Sequence, residues 1–148
     1  MYKVERSALV MHSAAEMFAL VNDVGKYHEF LPWCSGSRVL SWQDGVAIAS
    51  VDIAFKGIHK TFTTRNEMVE SSRTNISLVN GPFSELSGFW EFTEISAEAS
   101  KIRLELGFGF SNRLVGSVVG PVFRLIADSM VDSFCKRADQ IYQEDQST

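Results

Sequence analysis

The most constraining feature of the sequence is a strict alternation of apolar and other residues in the segment 101–110. Apolar side chains occupy every second position, at Ile102, Leu104, Leu106, Phe108 and Phe110. A period of two places all of them on one face of a strand, with the charged residues and glycines on the other. A strand with one buried and one wet face is typical of an antiparallel sheet. The sheet therefore needs a second layer to cover one side.

Other strand-like segments precede this one and are joined to each other by short links. They are rich in β-branched and aromatic residues, which favour an extended backbone. These segments are 4–10, 46–55, 58–69, 75–79 and 86–95, and the period of two already begins near Ser37. Because the links are short, we predict six to seven antiparallel strands arranged as a meander of hairpins.

Helices are predicted at two places. Ser13 and Glu16 have the spacing of a capping box, which begins a short helix after the first strand, and the segment 24–30 predicts a second short helix that Pro32 ends. The last third of the chain has the three- and four-residue spacing of a long amphipathic helix. Its apolar positions are Val122, Ile126, Met130, Phe134, Ala138 and Ile141.

The start of the long helix contains residues that disfavour helical structure. Gly116 and Gly120 lower helix propensity, and Pro121 suits a first turn better than an interior. We therefore predict a break near Gly120. The segment 112–120 would then form a separate short helix or a mobile lid, hinged at Gly120 and Pro121, and a rigid kink is the alternative.

Length and charge limit the classes of protein to consider. The 148 residues are predicted to form a single domain, 1–148, large enough to bury a core. The net charge of −4 is unlike the basic surplus of proteins that bind nucleic acid through phosphates, so DNA binding is not expected. The N-terminal segment lacks the apolar centre of a signal peptide, which predicts a cytoplasmic protein. Cys34 and Cys135 are accordingly predicted to be reduced thiols.

No residue pattern in the chain predicts catalysis or metal binding. His12, His28 and His59 lie on different predicted elements without metal-ligand spacing, and no serine or cysteine has a neighbouring base in a known motif. Polar residues on the strands are interpreted as solvated, with contact to a ligand head group as the alternative for some of them. They are Arg38, Asp52, Lys60, Arg65 and Asn66.

Two strings rich in aromatic residues and glycine suggest a family. The first runs from Tyr27 through Phe30, Leu31, Pro32, Trp33 and Cys34 to Ser37 and Val39. The second runs from Gly81, Pro82 and Phe83 through Leu86 and Gly88 to Trp90 and Phe92, and a third pattern, in the long helix, spans 120–134. With the order of elements, these strings resemble the START-like superfamily. Within it they resemble the coenzyme Q-binding branch, which includes bacterial ribosome association toxins and is related to polyketide cyclase/dehydrase-like domains.

The resemblance implies an α+β helix-grip fold, in which a curled antiparallel sheet surrounds the long C-terminal helix and encloses an apolar tunnel. Thirteen residues are then expected to contact a ligand. The sheet wall would comprise Phe55, Phe62, Trp90, Phe92 and Phe108, the helix wall Val122, Ile126, Met130 and Phe134, and one rim Tyr27, Phe30, Trp33 and Phe83.

The resemblance leaves three functions open. The first is a non-catalytic binder of a polyisoprenoid quinone such as ubiquinone, acting in the cytoplasm or peripherally at the inner membrane, with no other cofactor. The second is a ribosome association toxin that binds the large ribosomal subunit and blocks its joining with the small subunit, for which clustering of Arg113, Arg124, Lys136 and Arg137 with few acidic residues would be evidence. The third is a cyclase-type enzyme, which would require a buried acid-base pair in the tunnel.

Overall fold

A computed structural model of the chain describes residues 1–146, with side chains through residue 142. Seven strands and two α-helices form the fold, together with one 3-10 helix at Val24–Glu29. The strands are β1 (Tyr2–Val10), β2 (Cys34–Gln43), β3 (Val46–Phe55), β4 (Ile58–Val69), β5 (Arg73–Asn80), β6 (Glu85–Ser96) and β7 (Ala99–Gly109), and the helices are α1 (Ala14–Asn22) and α2 (Arg113–Gln146).

All seven strands belong to one antiparallel sheet with the order β1-β7-β6-β5-β4-β3-β2. Strands β2 to β7 follow one another as hairpins, which confirms the predicted meander. The first strand pairs with the last, since Val4 lies opposite Leu106. Helix α1 and the 3-10 helix carry the chain from β1 to β2 at the opposite edge of the sheet. The α+β helix-grip prediction is thus confirmed.

Local interactions explain the two short helices. The capping box is present: the Ser13 hydroxyl accepts a hydrogen bond from the Glu16 amide at 3.1 Å, and the Glu16 carboxylate accepts one from the Ser13 amide at 3.0 Å. The second predicted helix is a 3-10 helix. It ends where the Tyr27 carbonyl accepts hydrogen bonds from the amides of Phe30 and Leu31.

Helix α2 is continuous through Pro121, so the predicted break into two helices is wrong. The Asn112 side chain caps its start by accepting hydrogen bonds from the amides of Leu114 and Val115. Pro121 leaves the Ser117 carbonyl without its usual helical donor, yet one missing bond does not end a helix that packs on a sheet. The buried residues Val119 and Phe123, on either side of the proline, provide that packing.

The apolar residues of α2 lie on two faces. One face, which includes Phe123, Ile126 and Phe134, is buried against the sheet. The opposite face carries apolar side chains that remain exposed in its first turns. By length and composition α2 is therefore apolar enough to cross a membrane, although its buried face forms the core of the fold.

Candidate functional site

A cavity lies between α2 and the concave face of the sheet. Its volume is about 70 Å³, which is room for a few water molecules. Because α2 supplies one wall and the sheet the other, the cavity lies where the tunnel was predicted. It is lined by Val24, Tyr27, Trp33, Ala49, Val51, Phe62, Thr64, Asn66, Ile76, Leu86, Trp90, Leu104, Leu106, Phe123, Ile126 and Met130.

The structure brings six of the thirteen predicted ligand residues to this cavity. They are Tyr27, Trp33, Phe62, Trp90, Ile126 and Met130. The other seven do not line it in this structure, and their contact with a ligand stays a prediction: they are Phe30, Phe55, Phe83, Phe92, Phe108, Val122 and Phe134. Most of these seven pack against each other or against lining residues, because aromatic side chains on an inward face fill a core before they border a void.

One aromatic cluster separates the cavity from the end of the sheet where α2 begins. Phe62 of β4 lies 5.8 Å from Phe83 and 5.7 Å from Phe123, measured between ring centroids, and both contacts are edge-on. Phe83 also contacts Phe123 at 4.8 Å and Phe110 at 5.1 Å. Phe108 completes the cluster at 4.7 Å from Phe123. A ligand that enters from this end must displace rings of this aromatic cluster.

A second group of rings packs on the other side of the cavity. Phe134 of α2 is fully buried and meets Trp90, Tyr27 and Phe30 edge-on at 5.3 to 5.5 Å. Phe30 also borders a surface groove of about 410 Å³ on the far side of α2, outside the cavity. Phe134 therefore supports the lining residues from behind.

Three polar groups lie among the apolar lining residues. The indole nitrogen of Trp33 is buried and has no hydrogen-bond partner. Thr64 donates a hydrogen bond to the side-chain oxygen of Asn66 at 2.9 Å, and the Asn66 amide nitrogen has no partner among the residues described. The unpartnered donor of Trp33 is costly in an apolar setting, because a buried polar group normally finds an acceptor. The cavity can thus offer hydrogen bonds to a ligand that brings an oxygen acceptor.

The prediction that Asn66 is solvated is wrong, and a signal for its position was present in the sequence. Phe62, Thr64 and Asn66 alternate along β4, and a period of two places them on one face. That face is the inner one, where Thr64 and Asn66 are buried. Arg38 and Asp52, in contrast, form a partly exposed ion pair at 2.5 Å.

The lining residues do not include a carboxylate, an imidazole, an amine or a thiol. Tyr27 is the lining residue with an ionisable side chain, and its hydroxyl donates to the Val21 carbonyl. Burial, with a smaller contribution from the charge of Asp23, raises the pKa of Tyr27 far above its ordinary value, so the phenol stays neutral. An acid-base pair of the kind that the cyclase alternative requires is not found among these side chains.

Metal-binding residues do not cluster in the part of the chain that the structure describes. His12 is buried between the end of β1 and α2, where its Nε2 atom lies 2.8 Å from Asp139 Oδ1. The two thiols, Cys34 and Cys135, are free. These residues therefore do not form a metal site around the cavity.

Comparisons with known proteins agree with this architecture. Residues 10–135 match the family model described as polyketide cyclase/dehydrase and lipid transport. The chain is 46% identical over 144 residues to the ribosome association toxin RatA of Vibrio cholerae, covering 97% of this chain and 100% of that protein. It is 26% identical to the mitochondrial coenzyme Q-binding protein COQ10 homolog B of Xenopus laevis, covering 92% of this chain and 57% of that one.

A solved structure shows the same fold at low sequence identity. The ZhuI aromatase/cyclase from Streptomyces sp. R1128 superposes with a TM-score of 0.82 at 16% identity, covering 94% of both chains. Since the family model matches most of the chain and the sheet-and-helix architecture is shared, the chain belongs to the polyketide cyclase/dehydrase and lipid transport family.

Proposed function

We propose that this protein is a non-catalytic binder of a polyisoprenoid quinone, most simply ubiquinone. The observation that carries the proposal is the combination of an apolar cavity with unpartnered donors at Trp33 and Asn66. A quinone has the matching chemistry, because its ring carbonyls accept hydrogen bonds and its tail is apolar. The name of the COQ10 relative supports the same ligand class.

Size determines how such a ligand would bind. A cavity of about 70 Å³ does not hold a quinone ring with an isoprenoid tail, so binding requires the walls to separate. Each methylene that leaves water contributes about 0.8 kcal/mol. Two or three isoprene units therefore provide enough free energy to displace rings of the aromatic cluster.

The composition of the cavity favours binding over catalysis. Proton transfer needs an acid or base within hydrogen-bond reach of the reacting atom. Thr64, Asn66, Trp33 and the neutral Tyr27 can orient a ligand, but they do not supply a base near pH 7. We therefore place this chain with the binding proteins of its family rather than with the cyclases.

A second candidate function is association with the large ribosomal subunit. The observation that favours it is the 46% identity to a protein named as a ribosome association toxin. The surface gives it less support. Along α2, Arg113, Arg124 and Lys136 are separated by about 17 Å each, at 1.5 Å per residue. Arg124 pairs with Asp128 at 3.9 Å and Arg137 with Glu29 at 3.5 Å, so these four residues do not form the basic cluster that would favour contact with ribosomal RNA.

Mass spectrometry of lipids extracted from the natively produced protein tests the first function. We expect a quinone in a fixed ratio to protein, and its absence from protein purified without detergent would contradict the proposal. Cosedimentation with isolated large ribosomal subunits tests the second. We further propose a location in the cytoplasm and at the inner membrane, where quinones reside, to be checked by fractionation.

A further inference from the structure

The charges of the protein are segregated between the two ends of the sheet. The strand register puts the β2–β3, β4–β5 and β6–β7 turns at one end, and acidic residues dominate there. At this acidic end Asp44, Glu70, Glu94 and Glu98 are exposed. The opposite end contains the β3–β4 hairpin, the loop before β6 and the start of α2. We call it the basic end, because its exposed cations are Lys3, Lys56, Lys60 and Arg113.

The four cations of the basic end do not form ion pairs within the described chain, whereas Arg65, Arg73 and Arg103 each do. Phe62 lies on the inner face of β4 and belongs to the aromatic cluster that closes the cavity. Lys60 is two residues before it on the same strand. Glu85 is an acid at the same end. A surplus of positive charge therefore surrounds the closed mouth of the cavity, in a protein whose net charge is −4.

An exposed apolar stripe runs from this end along α2. Leu114, Val118 and Leu125 are 74%, 53% and 52% exposed, and Pro121 is exposed between them. Their spacing of three and four residues puts them on one face, opposite the buried Phe123. Farther along α2 this face becomes acidic at Asp132. Solvated helix faces are normally polar, so an apolar stripe confined to the first turns marks an interaction surface.

We infer that the basic end, with this apolar stripe, docks on a bilayer that contains anionic lipid. The lysine and arginine side chains are attracted to the anionic lipid headgroups, and the leucine and valine side chains insert below them. Stable peripheral binding needs two such contributions, one electrostatic and one hydrophobic. A ribosomal RNA surface would match the cations alone, since exposed apolar side chains add nothing to phosphate contacts. The inference rests on the proposed function, because a lipid tail can leave the membrane without crossing water only if the cavity mouth faces it.

Flotation of the full-length protein with vesicles tests this docking surface. We expect binding to phosphatidylcholine vesicles that contain phosphatidylglycerol and little binding to phosphatidylcholine alone. Each basic residue close to an anionic surface contributes roughly a fivefold gain in partitioning. The double variant Lys56→Glu/Lys60→Glu should therefore bind anionic vesicles at least tenfold more weakly. The variant Leu114→Ser/Val118→Ser should lose a similar factor on the same vesicles, because two inserted side chains are removed.

Matched variants at the acidic end serve as controls. Lys101→Glu makes the same kind of charge change at an exposed lysine, and Ile95→Ser removes a side chain that is 58% exposed. Both should bind vesicles as the parent protein does. Equal losses in the controls and in the basic-end variants would overturn the inference, and so would equal binding to neutral and anionic vesicles.

Two further measurements separate this inference from its rivals. Cosedimentation with large ribosomal subunits, reduced by Lys56→Glu/Lys60→Glu while vesicle binding is unchanged, would assign the basic end to RNA and overturn membrane docking. Lipid extracted from each purified variant reports on the cavity independently. Vesicle binding that follows the expected pattern in a protein without quinone supports the docking surface and counts only against the proposed ligand.

Discussion

Gly120 of α2 lies against the phenol ring of Tyr2 on β1, so closely that a methyl group added at Gly120 would lie 2.4 Å from the Tyr2 hydroxyl oxygen. The Tyr2 ring is itself stacked on Phe108 at a centroid distance of 5.0 Å. The glycine therefore allows α2 to approach the first strand closely. Through this contact the start of α2 is fixed above the aromatic cluster.

Replacing Gly120 with alanine is expected to destabilise the protein despite the better helix propensity of alanine. Overpacking lowers the free energy of unfolding by about 1–3 kcal/mol. The higher helix propensity of alanine relative to glycine raises it by roughly 1 kcal/mol. We expect a net loss of up to about 2 kcal/mol in the free energy of unfolding, measured by urea denaturation. In a Tyr2→Ala background the same substitution should become stabilising. A loss that persists without the Tyr2 ring would contradict the close-packing explanation.

Trp90 is predicted to be important for ligand retention beyond its role in the core. It is buried, lines the cavity and meets Phe134 at 5.4 Å. Trp90→Ala should lower the free energy of unfolding by about 3–5 kcal/mol and also reduce the quinone content of the purified protein. Phe92→Ala is the matched control, because Phe92 is buried next to Trp90 and does not line the cavity. Equal quinone loss in both variants would show that Trp90 acts only through stability.

Trp33→Phe tests the unpartnered indole nitrogen. The variant keeps an aromatic ring and removes a buried donor whose missing bond costs about 1–3 kcal/mol. We therefore expect the ligand-free protein to be as stable as the parent or more so, and its affinity for a short-chain quinone to fall several-fold in a fluorescence titration. Trp42→Phe, at an exposed tryptophan, controls for the change in fluorescence. Lower stability with unchanged affinity would remove Trp33 from the binding role.

The sequence predicted the architecture well because its signals are local and repetitive. Alternation in β7 and helical spacing in α2 each repeat over many residues, so a single exception does not change the prediction. Details that depend on three-dimensional proximity were not predictable. Gly88 is one example: a Cβ there would lie 2.0 Å from the Glu105 carbonyl oxygen, a contact across two strands. The cavity lining is another, since which inward rings border a void depends on packing between elements.

Cys135 is expected to react slowly with alkylating reagents. Burial, followed by the charges of Asp132 and Asp139, raises the pKa of its thiol to about 11 from an ordinary value of 9.0. In a Cys34→Ser background, the iodoacetamide labelling rate should rise about tenfold per pH unit until near pH 11, because only the thiolate reacts. The thiol ionises more readily in the unfolded chain, so its contribution to stability is present below pH 9 and is lost as the pH rises towards 11. A labelling rate that levels off near pH 9 would show an unperturbed thiol.

Pro121 is predicted to make the first turns of α2 the part of the helix that opens most easily. Because Pro121 cannot donate a hydrogen bond to the Ser117 carbonyl, the segment 113–120 has one helical bond fewer to the rest of α2. Hydrogen exchange in 113–120 should therefore be faster than in 126–141, and it should slow when quinone is bound. Pro121→Ala restores the bond, and it should raise the free energy of unfolding by up to about 3 kcal/mol and slow exchange in this segment. Leu125→Ala, at an exposed position on the same face, should leave the exchange pattern unchanged. Equal protection of both segments in the parent protein would show that the start of α2 is a rigid part of the fold, and quinone would then have to enter the cavity by another route.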